Sequence, residues 1–366
     1  MINNESILNR LDSKINLLNL NRQELHRFLI SLGAKSFSTQ QIMHWIYHYY
    51  CSDFNKMLNI SAKIRNQLQK NSRIFAPEFT EEKVSFDGTI KWITEINKQK
   101  IETVYIPEQK RSTLCVSSQI GCPLKCHFCA TGQQGFNRNL QVFEIISQIW
   151  QANKRLQKKN INNITNIVFM GMGEPLLNLK NVVSALNIIL DEFGFALSKR
   201  KITLSTSGVV PALDKLRSMI DVSLAISLHA SNDVIRDLIM PINKKYNIQS
   251  ILDSTLKYFR SSKANRGGVT IEYVMLNGIN DANQHAEQLA VLLRKLPSKI
   301  NLIPWNPFLG SSFASSNINR INIFANILRS KGFTTVIRKN RGKDIDAACG
   351  QLTGNVKNDI KNVKYS

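Results

Sequence analysis

Nowhere in the 366 residues is there an apolar run long enough to cross a bilayer, which takes about 20 consecutive apolar residues. The first residues, MINNESILNR, are polar and lack the apolar core of a secretory signal. Glycine and proline are scarce, 17 and 9 residues, which excludes a fibrous or low-complexity chain. With 43% hydrophobic residues, the expectation is a soluble, cytoplasmic protein with no membrane contact, built as one large core with one or two appendages. In a reducing compartment, cysteines that cluster are more often metal ligands or catalytic thiols than disulfide partners. Acidic residues are also in deficit, 26 against 48 basic ones, for a net charge of +22. Such a surplus points to a polyanion, with nucleic acid the first candidate. The plainer reading is compositional drift in a chain rich in Asn, Ile and Lys.

Residues 1–75 read as a helical module. NRQELHRFLISLG and TQQIMHWIYHYY space apolar residues at helical intervals, and SAKIRNQLQKN adds a basic helix. Leu25, Phe28, Leu29, Met43, Trp45 and Ile46 are expected in its core, and the lone Cys51 is expected to be a buried small hydrophobe. Residues 76–110 read as a small antiparallel sheet, with Asp87-Gly88 as a hairpin turn. From about residue 111 to 345, near-continuous apolar strands alternate with amphipathic helices. The strand candidates are TLCVSS, NIVFMG, KITLST, VSLAISLH, VTIEYVML and KINLIP, with a late one at FTTVIR. That pattern predicts a parallel α/β sheet with right-handed crossovers. Six clear strands are too few for a closed eight-fold barrel, so a partial (β/α)6 TIM-like barrel is expected. Residues 346–366 form a C-terminal loop and tail.

In parallel sheets functional groups gather at the C-terminal ends of the strands. Here the cysteine loop, GMGEP, STSG, SLH and PWNP all follow predicted strands. The first of these, GCPLKCHFCA, places Cys122, Cys126 and Cys129 at spacings of four and three. Zinc usually takes four ligands, and His127 offers a fourth. An iron–sulfur cluster held by three thiolates instead keeps one iron free of protein ligands. In GMGEP, Gly171 and Gly173 allow backbone to approach a ligand and Glu174 offers a carboxylate to an ammonium group.

The CxxxCxxC loop after a strand of a partial barrel resembles the radical S-adenosylmethionine (SAM) superfamily. The segments IETVYIPE, SSQIGCPLKCHFCATGQQGFNRNL, GMGEPLLN, TLSTSGVVP, LAISLHA and GKDIDAACGQL more closely resemble the RlmN family of dual-specificity RNA (adenine carbon-2) methyltransferases. The resemblance implies a 4Fe–4S cluster on Cys122, Cys126 and Cys129 with an open iron site that SAM chelates. It assigns SAM contacts to Gly173, Glu174, Ser205, Ser227, Leu228, His229 and Asn306. It implies that Cys349 becomes an S-methylcysteine, whose methyl is activated by a SAM-derived radical and added to the base. Two SAM molecules are used in each turnover. Cys115 then resolves the protein–RNA adduct as a disulfide, which an external reductant must reset. Glu102 is the family-position candidate for accepting the carbon-2 proton, with Cys115 as the alternative.

The implied substrates are 23S rRNA and the tRNA adenine next to the anticodon, with an external electron donor and a monomeric enzyme. RKNRGK, residues 338–343, puts four cations just before Cys349 and is expected to meet phosphates. Arg65, Lys70 and Arg73 are candidates for holding the RNA body. Three rivals stand beside this reading. They are the related adenine carbon-8 methyltransferase of ribosomal antibiotic resistance, a non-catalytic zinc-loop RNA-binding protein, and a radical SAM enzyme acting on small molecules.

Overall fold

The computed structural model describes residues 14–353. Residues 1–13, the start of the expected helical module, and residues 354–366, most of the expected tail, lie outside the described residues. The helical module contains α1 (Arg22–Ser31), α2 (Ser38–Tyr47) and α3 (Ala62–Asn71). Asn21 and Glu24 form a capping box at the start of α1, and the Ser61 side chain caps α3. Leu25, Leu29, Met43 and Ile46 are buried, while Phe28 and Trp45 pack half-buried against them. Cys51 departs from expectation. It lies in the turn beyond α2, half-buried, with its thiol donating to the Asp53 carbonyl at 3.3 Å. Two short strands, β1 (Ile15–Asn16) and β2 (Ser72–Arg73), pair in parallel and close the module.

Among the described residues, the main sheet has ten strands. Three are antiparallel: β3 (Phe79–Val84), β4 (Ile90–Ile96) and β5 (Gln99–Glu108). The parallel series starts at β6 (Arg111–Cys115). A small ribbon of β7 (Gln119–Gly121) and β8 (Phe136–Asn139) flanks the cysteine loop. The series continues with β9 (Asn166–Phe169), β10 (Ile202–Thr206), β11 (Ser223–Ser227), β12 (Val269–Met275), β13 (Ser298–Pro304) and β14 (Thr334–Ile337). The order is β14-β13-β12-β11-β10-β9-β6-β5-β4-β3. The six clear strand candidates all form, and FTTVIR joins them as β14, parallel to β13.

The antiparallel strands do not stand apart as a separate sheet. β6 pairs with β9 on one side, and its other edge is taken by β5, with Val104 opposite Cys115. An open edge of unpaired backbone groups is thereby covered. Asp87-Gly88 does form the β3–β4 turn, with the Gly88 N–H donating to the Ser85 carbonyl at 3.0 Å.

Two helices follow the cysteine loop, the short α4 (Ala130–Gln134) and the long α5 (Val142–Lys158). α5 fixes where β6 ends and the loop begins. The Gln148 Oε1 accepts from Ser117 N at 2.8 Å and Thr103 Oγ1 at 2.9 Å, while its Nε2 donates to the Ser117 carbonyl at 3.0 Å. The other face of α5 holds the helical module, where Trp150 Nε1 donates to the Ile46 carbonyl at 2.8 Å. Among the described residues, no helix is long and apolar enough to cross a membrane.

Gln148→Leu strands the buried Ser117 backbone groups, at a cost of about 1–3 kcal/mol for each unpaired group. A lower urea midpoint with an unchanged m-value is the expected outcome. An unchanged midpoint would show that Gln148 does not hold the strand end.

Candidate active site

The cysteine loop folds back on itself before it enters α4. Cys122 N donates to the Gly135 carbonyl at 2.8 Å and Cys129 N to the Cys126 carbonyl at 3.2 Å. A Cβ at Gly132 would approach Cys126 N to 2.9 Å, so the helix start fits closely around that cysteine. Cys122, Cys126 and Cys129 all line one cavity at the C-terminal ends of the parallel strands. Burial raises the Cys122 thiol to about 12 and the Cys126 thiol well above its ordinary value, and neighbouring thiols add to both shifts. Burial also raises the Cys129 thiol. Three thiols so placed are anionic only beside concentrated positive charge, a donor set suited to soft iron.

His127 does not complete a zinc site. Its side chain is exposed, and its N–H donates to the Ile239 carbonyl at 3.0 Å. Among the described residues, no three or more His, Cys, Asp or Glu side chains converge as a single ion requires. A cluster, whose irons stand apart from one another, does not need such convergence.

The same cavity is walled by Gly173, Glu174, Ser205, Ser227, His229 and Asn306. Gly173 adopts φ +97°, and a Cβ there would lie 2.4 Å from Gln119 Cβ. The Glu174 carboxylate accepts from Leu176 N at 3.0 Å and Ser207 N at 2.8 Å, which anchors it to β10's end. Burial nevertheless raises its pKa, so a cation beside it would be held strongly. Ser205 and Ser227, on adjacent strands, bring their hydroxyls to 3.4 Å. His229 is buried and pushed down to about 3 by burial and by Arg236; its neutral Nδ1 accepts from Val274 N at 3.0 Å. Asn306 leaves its buried Oδ1 without a partner, an acceptor aimed for a ligand's donor. Leu228 differs from these residues. It is wholly buried in the core and takes no part in the cavity wall.

A second cavity adjoins the first, and both Cys115 and Cys349 line it. Cys115 ends β6, and burial raises its thiol to about 12. Cys349, 234 positions after Cys115, comes beside it because its loop is pinned at several points. Ala130 N donates to the Gly350 carbonyl at 2.7 Å, Thr131 Oγ1 to the Leu352 carbonyl at 2.6 Å and Gln351 Nε2 to the Pro307 carbonyl at 2.8 Å. Cys349 is exposed along the cavities that it lines, and desolvation by the protein around it raises its thiol.

Arg338 opposes that rise. It lines both cavities, and its charge lowers the pKa of both thiols and of the buried Glu272. RKNRGK is therefore not uniformly a phosphate-facing stretch, because its first member turns inward from the end of β14. Treating FTTVIR as a full strand would have marked Arg338 as a strand-end residue. Glu272 was the lone acid inside the apolar run VTIEYVML.

Glu102 is not in either cavity wall. It is buried on β5, with its carboxylate 3.7 Å from Lys91 Nζ, and it lies on the same face as Val104, the strand partner of Cys115. Lys91 also donates to the Asp346 carbonyl at 3.0 Å, linking Glu102 to the Cys349 loop.

A partial parallel barrel whose strand ends gather three cysteines around a polar cavity defines a radical SAM enzyme. Residues 116–290 match the radical SAM superfamily, and residues 15–74 match the ribosomal RNA large subunit methyltransferase N-terminal domain. A solved radical SAM methyltransferase from Sphaerobacter thermophilus superposes with a TM-score of 0.86 at 38% identity, covering 93% of this chain and 99% of that one. Two dual-specificity RNA methyltransferases RlmN are 75% and 70% identical to this chain. They come from Buchnera aphidicola subsp. Acyrthosiphon pisum (strain APS) and subsp. Schizaphis graminum (strain Sg), and the matches cover 99% and 98% of this chain and 100% and 99% of theirs. The chain belongs to the RlmN family. Membership of the superfamily implies a 4Fe–4S cluster and SAM.

Arg338→Met removes the cation that favours both thiolates, so the Cys349 thiol should titrate at higher pH. Iodoacetamide alkylation of Cys349, followed by peptide mass spectrometry with Cys51 as internal reference, should shift its pH profile to the alkaline side. An unshifted profile would remove Arg338 from thiol activation.

Proposed function

We propose that this enzyme methylates carbon 2 of adenine in 23S rRNA and in tRNA next to the anticodon. We place it in the cytoplasm as a monomer supplied by an external electron donor. The observation that supports this most is the meeting of two further thiols, Cys115 and Cys349, across cavities that share a wall with the three clustered cysteines. A cluster enzyme without a methyl-carrying thiol has no use for that second pair.

Bound at Cys122, Cys126 and Cys129 with one iron left open, and at the wall of Gly173, Glu174, Ser205, Ser227, His229 and Asn306, the cluster and SAM would supply the methyl group and a hydrogen-abstracting radical. Leu228 stays outside that wall, with its carbonyl accepting from Arg236 Nε at 3.0 Å. Carbon 2 of adenine lies between two ring nitrogens and is electron-poor, so it does not attack an electrophilic methyl group. The Cys349 thiolate does, and carries the methyl as a thioether. Arg338 keeps that sulfur ionisable inside the protein. Once the methyl carbon is joined to the base, the Cys115 thiolate attacks Cys349 Sγ. The adduct's unpaired electron passes to the external one-electron carrier. The carbon–sulfur bond then breaks with its electron pair going to the released carbon, which takes up a proton to become the methyl group. A Cys115–Cys349 disulfide forms in the same step, and an external thiol reductant restores the pair.

The carbon-2 proton leaves to Glu102 or to Cys115. Lys91 beside Glu102 favours the carboxylate form that an acceptor needs. Splayed-out adenines suit so enclosed a thiol, because a stacked base cannot reach it. Residues 1–75 serve as the RNA-holding module in this reading, with Lys70 exposed for phosphate. Arg65 is less available, since it donates to the Asn55 carbonyl at 2.7 Å, and Arg73 lies over the Phe75 ring. Residues 76–110 extend the sheet, 111–345 form the barrel and 346–366 carry the Cys349 loop.

Mass spectrometry of adenosines from 23S rRNA and tRNA, with and without the gene, tests the product. Loss of 2-methyladenosine in its absence is expected, and a product methylated only at carbon 8 would overturn the proposal. Cys349→Ala should abolish methyl uptake from SAM in the absence of RNA. Cys115→Ala should instead accumulate a covalent protein–RNA adduct, and normal turnover by that variant would rule out its resolving role.

A further inference from the structure

α6 (Leu179–Leu190) lies between β9 and β10 and α7 (Val210–Met219) between β10 and β11; the loop after β11 leads into the short α8 (Asp233–Ile239), which carries Arg236. The Arg236 side chain is completely buried. Its Nε donates to the Leu228 carbonyl at 3.0 Å and its Nη1 to Asn243 Oδ1 at 2.9 Å. Its Nη2 donates to the carbonyls of Ser207 at 2.7 Å and Ser227 at 3.2 Å. All four acceptors are neutral. Among the described residues, Arg236 forms no ion pair. Asp233 and Asp237 stand nearby, but the Asn243 amide lies between them and the guanidinium, donating to both carboxylates. Buried charges are ordinarily paired, and here the two nearby carboxylates reach the guanidinium only through the Asn243 amide.

α8 is also the element packed against the cysteine loop. The Ile239 carbonyl accepts from His127 N at 3.0 Å, and Ile239 and Met240 share one apolar cluster with Leu124 and Cys126. Arg236 stands one helical turn before Ile239, which puts the guanidinium on the element that backs Cys126.

We propose that Arg236 supplies the positive charge facing the anionic cluster on Cys122, Cys126 and Cys129 and sets its reduction potential. The proposal rests on reading those three cysteines as cluster ligands. Three thiolates outnumber the charge of the oxidised cluster core, and reduction adds an electron without a balancing group. Net charge near a cluster tunes its potential. A cation in a water-excluded site is weakly screened and stabilises the reduced form most. Three hydrogen bonds to strand-end carbonyls and one to the Asn243 side chain hold the guanidinium in place, so its field is fixed. Arg236 is thus a positioning residue for the wall at Ser207 and Ser227 and an electrostatic partner of the cluster.

The test is an anaerobic redox titration of the reconstituted full chain, followed by electron paramagnetic resonance, without RNA or SAM. Arg236→Met should keep its iron and sulfide but show a lower midpoint potential, and Arg236→Lys should recover most of the shift. Equal midpoints in the parent and Arg236→Met would overturn the proposal. Asp237→Asn guards against a folding failure of the Met variant. It keeps the acceptor for Asn243 and removes a negative charge beside the guanidinium, so the midpoint should rise; no rise would also overturn the proposal. A parent chain that takes up no iron and sulfide would overturn the cluster reading itself, an outcome read separately from any midpoint.

Discussion

The hydrogen bond from Ala130 N to the Gly350 carbonyl, 2.7 Å long, joins the first residue of the helix after the cysteine loop to the residue after Cys349. With Thr131 holding the Leu352 carbonyl and Asn306 reaching the Cys349 carbonyl at 3.4 Å, it docks the last described segment on the first strand ends of the barrel. Everything chemical in the site depends on this closure. Without it Cys115 would face an empty cavity and Cys349 would lie in solvent. The opposite end of the same loop rests on the β3–β4 turn, where Gly342 N donates to the Asp87 carboxylate at 3.1 Å and Ser85 Oγ to Asp344 at 2.6 Å. The antiparallel extension therefore serves the site as well as capping a sheet edge.

Closure places several sulfur groups in a poorly hydrated interior, where thiols resist ionisation. The fold answers with cations set beside them. Arg338 faces the Cys115 and Cys349 side, and Arg236 stands behind the cysteine loop, each delivered by an element next to the group it influences. Lys91 has the corresponding position beside Glu102. The large net charge of the chain is thus not all surface for RNA. Some of it is structural wiring for anionic sulfur and carboxylate groups.

Much of this was legible beforehand because local rules apply at each point. Apolar runs of β-branched residues alternating with amphipathic helices predict parallel strands, and polar clusters after each strand locate the site. The short spacing of Cys122, Cys126 and Cys129 made them one group before any folding was considered. Less legible were side chains whose meaning depends on direction. Arg338 sits in a run of cations that reads as solvated, yet the end of β14 turns it inward. Arg236 follows SLHA in a short helix that exposes Val234 and Leu238, and nothing local says that the arginine rather than these is buried. Leu228, grouped with SAM contacts by its neighbours, turns out to point into the core.

By itself, then, the sequence determined the strand–helix rhythm, the three-cysteine loop and the presence of two thiols outside it. These follow from periodicity and spacing over a few residues. Tertiary structure alone decided that Cys115 and Cys349 share a cavity, that Glu102 stands behind its wall paired with Lys91, and that two arginines spend their charge indoors. The physical reason is that burial and electrostatic reach are properties of distance in space, and sequence separation carries almost no information about distance once the sheet has closed.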